Sequence, residues 1–265
     1  MNRNRLIFVA AVAVVCLFIV LLVVVLRFVG RRGAPGPTPT GGPPVATKPG
    51  RVLPGAPGPL PELSAKPQPV EINFQGCPAE GDNLRQAELN RLKNRVDEGE
   101  YVPVTFDSIA GLAWPQSVER LPRDKWSSSD EATVERYEGT PVAVEGYLAG
   151  ARQEGPESPN CHGDDPQFRD FHIWLVKNAE DDRSRSIVVE VTPRVRVNHP
   201  NWRTDVLGQI VKNDQRVRIS GWLMLDPEHP DQVGKTRGTI WEIHPIMQIE
   251  VQQSGKWIPL DDFGG

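Results

Sequence analysis

Residues 170–192 have the sequence DFHIWLVKNAEDDRSRSIVVEVT and contain two strand-like runs separated by a polar connection. In the first run, Phe171, Ile173 and Leu175 recur at every second position, which is the side-chain period of a β-strand. The second run, residues 186–192, is rich in valine and isoleucine, whose branched side chains favour extended backbone. Both runs are therefore predicted to be strands.

Similar patterns flank this region on both sides. Residues 141–152 alternate before it, and residues 216–225 and 238–252 have strand character after it. Between the third and fourth of these five runs, apolar residues from Trp202 to Ile210 recur at the spacing of a short amphipathic helix. Three strands, a helix and two strands are the element order of a five-stranded Greek-key OB barrel. The sequence thus predicts a mainly β, OB-like domain over residues 140–252, followed by a C-terminal tail, 253–265.

The residues before the barrel form a different kind of segment. A helix is predicted over Asp82–Glu98, because Asp82 suits the N-cap, leucines follow along one narrow stripe and Gly99 suits the end. Residues 101–139 predict a mixture of helical and irregular structure. Residues 71–139 are therefore interpreted as a lead-in with an accessory helix.

The N-terminus predicts a membrane anchor. After a five-residue tail, Leu6–Val29 contains 21 consecutive uncharged residues, which is enough helix to span a bilayer. The apolar run is too long for a cleavable signal peptide and lacks small residues at its end, so an uncleaved signal anchor is expected. A short tail before a long domain suits an orientation with the domain outside the cytoplasm.

Residues 30–70 predict a disordered linker between the anchor and the lead-in. These 41 residues include 12 Pro and 8 Gly and have few apolar side chains. Such a segment cannot bury enough surface to offset the entropy of ordering it.

The charge distribution argues against nucleic acid as a partner. Residues 1–70 contain eight of the 30 Lys and Arg and one of the 34 Asp and Glu. The remaining 22 basic and 33 acidic residues give 71–265 a net charge of −11. A surface of this sign repels a phosphate backbone.

The predicted strands also assign residues to faces. Asp170, His172 and Trp174 share the face opposite the apolar residues of their strand, and Glu242 and His244 share a face on the last strand. Glu190 on the third strand and His229 after the fourth would join them if the barrel closes. We therefore expect carboxylates and imidazoles to gather on one patch.

Four short runs carry a resemblance to a known group of proteins. They are DFHIWL at residues 170–175, VEVTP at 189–193, RISGWLMLDPEH at 218–229 and WEIHPI at 241–246. Their D-x-H, E-x-x-P, loop His and E-x-H-P pattern resembles uncharacterised bacterial secreted or membrane-anchored proteins. The resemblance covers residues 140–250 and implies a shared small β-domain without implying an activity.

Three interpretations of the patch stay open. His172, His229, His244 and Glu190 could bind a divalent metal such as zinc, with Glu190 or Glu242 as a further ligand or general base, which would permit hydrolysis. Alternatively, the carboxylates and imidazoles could hydrogen-bond one another without binding anything. In the third interpretation the patch binds a ligand, and its residues are Asp170, His172, Trp174, Trp222, Glu242 and His244.

Two cysteines lie in the predicted extracytoplasmic domain, Cys77 and Cys161, and we expect them to form a disulfide that attaches the lead-in to the barrel. The sequence as a whole favours a membrane-anchored binding module for an envelope protein or a small ligand. The alternatives are a metal-dependent hydrolase and a structural part of a larger envelope assembly.

Overall fold

A computed structural model of the chain describes residues 50–263. The predicted anchor Leu6–Val29 and residues 30–49 of the predicted linker lie outside the described residues. Among the described residues, no helix has the length and hydropathy needed to cross a membrane.

The described chain is mainly β. Its strands are β1 (Arg51–Val52), β2 (Glu100–Val104), β3 (Pro141–Gln153), β4 (Phe171–Val176), β5 (Ile187–Val191), β6 (Val217–Leu225), β7 (Trp241–Gln253) and β8 (Lys256–Pro259). Its α-helices are short: α1 (Ala87–Lys93), α2 (Phe106–Ala110), α3 (Ser128–Glu135), α4 (Pro193–Arg196) and α5 (Thr204–Lys212).

Strands β3 to β7 form a closed five-stranded barrel. β3 pairs antiparallel with β4, and β4 pairs antiparallel with β5. β5 then pairs parallel with β7, β7 pairs antiparallel with β6, and β6 returns to β3, which closes the ring. The predicted five-stranded barrel is confirmed, and α5 lies between its third and fourth strands.

The barrel interior is apolar because the side chains that point inward from its strands are apolar, and in the regular pair β4 and β5 these are alternate residues. Phe171, Ile173 and Leu175 of β4 belong to one buried cluster with Val189 of β5 and Ile243 of β7. Closure leaves the remaining residues of each strand on the outer face, where other segments cover those of β4, β5 and β7.

The lead-in differs from the prediction in two places. The helix expected over Asp82–Glu98 is shorter at both ends. α1 begins at Ala87, after a 3-10 turn over Leu84–Gln86 whose N-cap is Asn83 rather than Asp82, and it ends at Lys93, after which the Asn94 side chain donates to the carbonyl oxygens of Ala79 and Pro159. β2 was not expected, yet it pairs parallel with β3 at the edge of the barrel. A strand containing Pro103 has a weak sequence signal, since proline is depleted from strands and is tolerated mainly at edges.

Two segments predicted to be linker or tail contact the domain. Arg51–Val52 pair with the start of β2, and the Leu63 amide donates to the Arg136 carbonyl, so residues 50–70 are not wholly a disordered linker. A proline-rich chain cannot build its own core, but its free backbone groups can pair with a folded edge. In the predicted tail, β8 pairs with β7 and Leu260 is buried.

Candidate functional site

Strand register gathers acidic and imidazole side chains on the outer face of the barrel. His172 of β4 lies opposite Glu190 of β5, and the parallel pairing of β5 with β7 places Glu242 beside Val188 and His244 near Glu190. These side chains and Asp170, just before β4, are here called the carboxylate–imidazole cluster: Asp170, His172, Glu190, Glu242 and His244. The expected gathering of residues from distant parts of the chain is therefore present.

Residues 77–94 and 157–162, here called the cover, pack against the cluster: Asn160 Nδ2 donates to Asp170 Oδ1, and all five cluster residues are buried. The predicted Cys77–Cys161 disulfide is confirmed and joins the two parts of the cover. Leu89 and Leu92 of α1 pack on Met224 of β6 in a small separate apolar cluster. The cover thus combines a covalent link with apolar packing.

Arg194 of α4 fastens the cover to the barrel. Its guanidinium donates to the side-chain oxygens of Asn94 and Asn160 at 2.8 and 2.9 Å and to the carbonyl oxygens of Cys77 and Pro78 at 3.1 and 2.9 Å. Burial lowers the pKa of Arg194 to about 10, with nearby Asp170 opposing this shift. The side chain is almost fully buried, so these bonds form away from bulk water.

Glu190 is the central carboxylate of the cluster. Its Oε1 lies 3.1 Å from His172 Nδ1 and its Oε2 lies 3.4 Å from His244 Nδ1. His244 Nδ1 also lies 3.6 Å from Glu242 Oε2. Asp170, Glu190 and His244 each offer one ligand atom, and these three atoms all lie within 4.8 Å of one another.

Several polar atoms of the cluster are buried without a hydrogen-bond partner among the described residues. They are both ring nitrogens of His244, Asp170 Oδ2, Glu242 Oε2 and His172 Nε2. By contrast, the other oxygen of each carboxyl is bonded, since Asn160 Nδ2 donates to Asp170 Oδ1 at 2.9 Å and Arg237 donates to Glu242 Oε1 at 2.6 Å. Buried polar atoms are normally paired, so this group of unpaired atoms requires an explanation.

Buried charge around the cluster raises some pKa values and lowers others. Burial raises the pKa of Asp170 to about 6, and burial together with the Asp170 carboxylate raises the pKa of Glu157 to about 8. Burial alone would raise the pKa of Glu190, but the neighbouring imidazoles of His244 and His172 hold this pKa far below the ordinary range. Within the cluster, Glu190 is therefore strongly ionised while burial opposes the ionisation of Asp170, and in the cover burial likewise opposes the ionisation of Glu157.

Lys93, at the end of α1, is the cation that the cover contributes. Burial alone would lower its pKa, but the surrounding carboxylates, Asp226 first among them, raise it above the ordinary range. Arg237 bridges Asp226 Oδ2 and Glu242 Oε1 at 3.1 and 2.6 Å. Neither cation was singled out from the sequence, because single lysines and arginines carry no motif.

The two tryptophans expected in the ligand-binding patch, Trp174 and Trp222, are buried. Trp174 lies under the Arg183 guanidinium, 3.8 Å from its ring centroid, and Arg95 stacks 3.4 Å from the Trp222 ring. The Trp222 indole also donates to the Asp97 carbonyl at 2.9 Å. The strand pattern contains no information about the segments that cover these tryptophans.

His229 lies apart from the three atoms that converge. Its Nδ1 lies 2.5 Å from Asp226 Oδ2, and its side chain is partly exposed. Through Asp226 and Arg237 it is linked to Glu242. The expected metal ligands therefore lie in different places. His244 and Glu190 lie close to Asp170, and His172 contacts Glu190. His229 contacts the Asp226 carboxylate.

We expect His229 to titrate above the ordinary histidine value of 6.5. Its hydrogen bond to the Asp226 carboxylate raises the pKa, although partial burial opposes this. The pKa of His229 is higher in the folded state than in the unfolded state. The stability that its bond to Asp226 contributes is therefore fully present below about pH 6.5 and is lost as pH rises through the folded-state pKa. Histidine NMR titration measures this midpoint. In the Asp226→Asn variant the titration midpoint of His229 should fall. An unchanged midpoint would show that the Asp226 carboxylate does not raise the pKa of His229.

A cleft of about 610 Å³ is formed in part by the cover. It is lined by residues 83–89, 91, 120–124 and 227–228, so two parts of the lead-in, including α1, and the loop after β6 contribute. Leu84 is 86% exposed and Leu121 is 40% exposed, and both line this cleft. Two of the four large hydrophobic residues that are exposed in the described chain thus lie at one place.

Comparison of the chain with models of known protein families and with curated protein sequences found no match.

Proposed function

We propose that the chain is a single-pass, membrane-anchored module with an OB-like domain outside the cytoplasm, and that this domain binds an envelope protein. The apolar run Leu6–Val29 supports the anchor. The Cys77–Cys161 disulfide supports an oxidising compartment, because such bonds are rare in the cytosol.

The strand order supports the OB-like assignment. An OB barrel has five strands with a helix between the third and fourth, and many of its members bind ligands on strands 2 and 3 and on the loops between strands 1 and 2 and between strands 4 and 5. Here the outer face of β4 and β5 is enclosed by the cover. The loop between β6 and β7 nevertheless contributes Pro227 and Glu228 to the cleft. Binding is therefore proposed at the cleft.

The exposed leucines of the cleft are the observation on which the proposal rests. A side chain as exposed as Leu84 can be buried only by a partner that reaches beyond the cleft walls, which favours a protein segment over a small molecule. Net charge in residues 71–265 is −11, which disfavours nucleic acid.

The hydrolase alternative receives less support from the geometry. A catalytic metal site keeps a position open for water or substrate. His244 is 0% exposed, and the disulfide-linked cover lies over the cluster. Binding at the open cleft is therefore preferred over hydrolysis at the enclosed cluster.

Site-specific photo-crosslinking in membranes of the producing cell tests the proposal. A photoreactive residue at position 84 and, separately, at position 121 should capture the same protein. The matched control is position 197, because Val197 is 64% exposed but does not line the cleft. Three outcomes would contradict the proposal. Probes at positions 84 and 121 could capture different proteins, they could give no discrete adduct, or the probe at position 197 could give the same adduct.

A substitution sharpens this test. With the probe at position 121, Leu84→Asp should reduce adduct formation by about tenfold or more, since burying a leucine contributes about 1.5–3 kcal/mol and 1.4 kcal/mol corresponds to tenfold in affinity. Val197→Asp is the control and should leave the adduct unchanged.

A further inference from the structure

The geometry points to a divalent metal site, formed by Asp170, Glu190 and His244 and enclosed between the barrel and the cover. This site is separate from the cleft, and the inference does not rest on the proposed binding function. The ion that best matches one imidazole and two carboxylates is a first-row divalent cation of borderline softness, with Zn²⁺ as the probe.

The spacing of the ligand atoms fits an ion. Glu190 Oε2 and His244 Nδ1 are 3.4 Å apart. Ligands at about 2.0–2.1 Å from a tetrahedral zinc are separated from one another by about 3.3 Å. One ligand atom from each of the three residues lies within 4.8 Å of the other two, and side-chain rotation would be needed to close the longer separations into a common coordination sphere.

The unpaired atoms supply the independent observation. His244 is fully buried, and neither ring nitrogen has a hydrogen-bond partner among residues 50–263. Asp170 Oδ2 is unpaired in the same way, while Oδ1 of that carboxyl is held by Asn160. A cation bound by a ring nitrogen and by Asp170 Oδ2 would satisfy groups that otherwise stay desolvated without a partner.

Charge also favours a cation. Four carboxyl groups are buried in this region (Asp170, Glu190, Asp226 and Glu242), and the buried Lys and Arg side chains beside them are Lys93, Arg194 and Arg237. Arg237 pairs with Asp226 and Glu242. Among the described residues, no Lys or Arg nitrogen lies within 4.0 Å of a carboxylate oxygen of Asp170 or Glu190, and only the two imidazoles contact Glu190 at that distance.

His172 is assigned as a positioning residue. Its Nδ1 lies 3.1 Å from Glu190 Oε1, which leaves Oε2 on the side of His244. Groups that orient a ligand carboxylate in this way typically affect metal affinity by about 10–100-fold. The ion would join the start of β4 to β5 and β7 beneath the cover, which is the location of a structural rather than a catalytic metal.

Metal binding to the detergent-solubilised full-length chain tests the inference. After chelator treatment, the wild type should bind one Zn²⁺ per chain in a calorimetric titration, with a rise in melting temperature. Co²⁺ should give visible absorption characteristic of nitrogen and oxygen ligands. His244→Gln and Asp170→Asn should abolish both signals, whereas His172→Gln should weaken Zn²⁺ binding by about 10–100-fold. His229→Gln, the matched histidine control, should bind as the wild type does.

Two results would overturn the inference. One is a folded, disulfide-bonded wild type that binds neither Zn²⁺ nor Co²⁺ nor Mn²⁺. The other is unchanged binding in His244→Gln and Asp170→Asn. Should these variants not fold, ¹⁵N NMR of wild-type histidines decides, because the His244 ring nitrogens must shift on Zn²⁺ addition while those of His199, bonded to Asp261, must not.

Discussion

The free energy of unfolding of the full-length chain is expected to fall by about 4 kcal/mol when Cys77 and Cys161 are both replaced by serine. The disulfide connects residues 84 positions apart, so it removes a large amount of conformational entropy from the unfolded chain. Denaturation in guanidinium chloride, followed by tryptophan fluorescence, measures the change. In the same variant the backbone amide hydrogens of the cover should exchange faster with solvent, since the disulfide joins the two parts of the cover.

The third cysteine provides the matched control. Cys16 lies in the predicted anchor and is not part of this bond, so Cys16→Ser should leave the unfolding of the domain unchanged. A loss of less than about 1 kcal/mol in the double variant would show that the bond contributes little to stability, within the broad range measured for disulfides.

Replacing Arg194 with methionine is expected to lower the free energy of unfolding by about 3 kcal/mol, because each buried acceptor left unpaired costs about 1–3 kcal/mol. The guanidinium donates to Asn94, Asn160 and two carbonyl groups of the cover. Methionine has a similar length but no donor. Part of the loss is offset, because the variant no longer buries a charged group, whose cost is visible in the lowered pKa of Arg194.

An exposed arginine serves as the control for this substitution. Arg203 pairs with Asp205 on the surface, with 55% of its side chain exposed, and Arg203→Met should change stability by about 0–1 kcal/mol. Equal effects of the two substitutions would mean that Arg194 does not fasten the cover. Hydrogen exchange in residues 77–94 distinguishes the cases, since only loss of the fastening should accelerate it.

Much of the barrel is predictable because local patterning and global fold agree there. Phe171, Ile173 and Leu175 alternate in the sequence and face the interior in the structure. α5 follows from the helical spacing between Trp202 and Ile210. The disulfide was predictable because only two cysteines lie outside the predicted anchor.

The candidate site was predictable only in part. Glu190, His244 and His229 were expected as metal ligands, and Asp170 was expected in the ligand-binding patch. In the structure Asp170 lies with Glu190 and His244, whereas His229 contacts Asp226. Lys93 and Arg194 carry no local signal, since their importance depends on which distant groups surround them.

The sequence by itself determined which residues of β4 and β5 face the inside and which the outside, because side chains alternate along a regular strand. In β3, β6 and β7, register shifts interrupt the alternation. Tertiary structure alone decided that the outer face is enclosed, that Trp174 and Trp222 are stacked under arginines, and that Asp170 meets His244. These outcomes depend on contacts between segments far apart in the chain. The alternation of apolar and polar residues within one strand carries no information about such contacts.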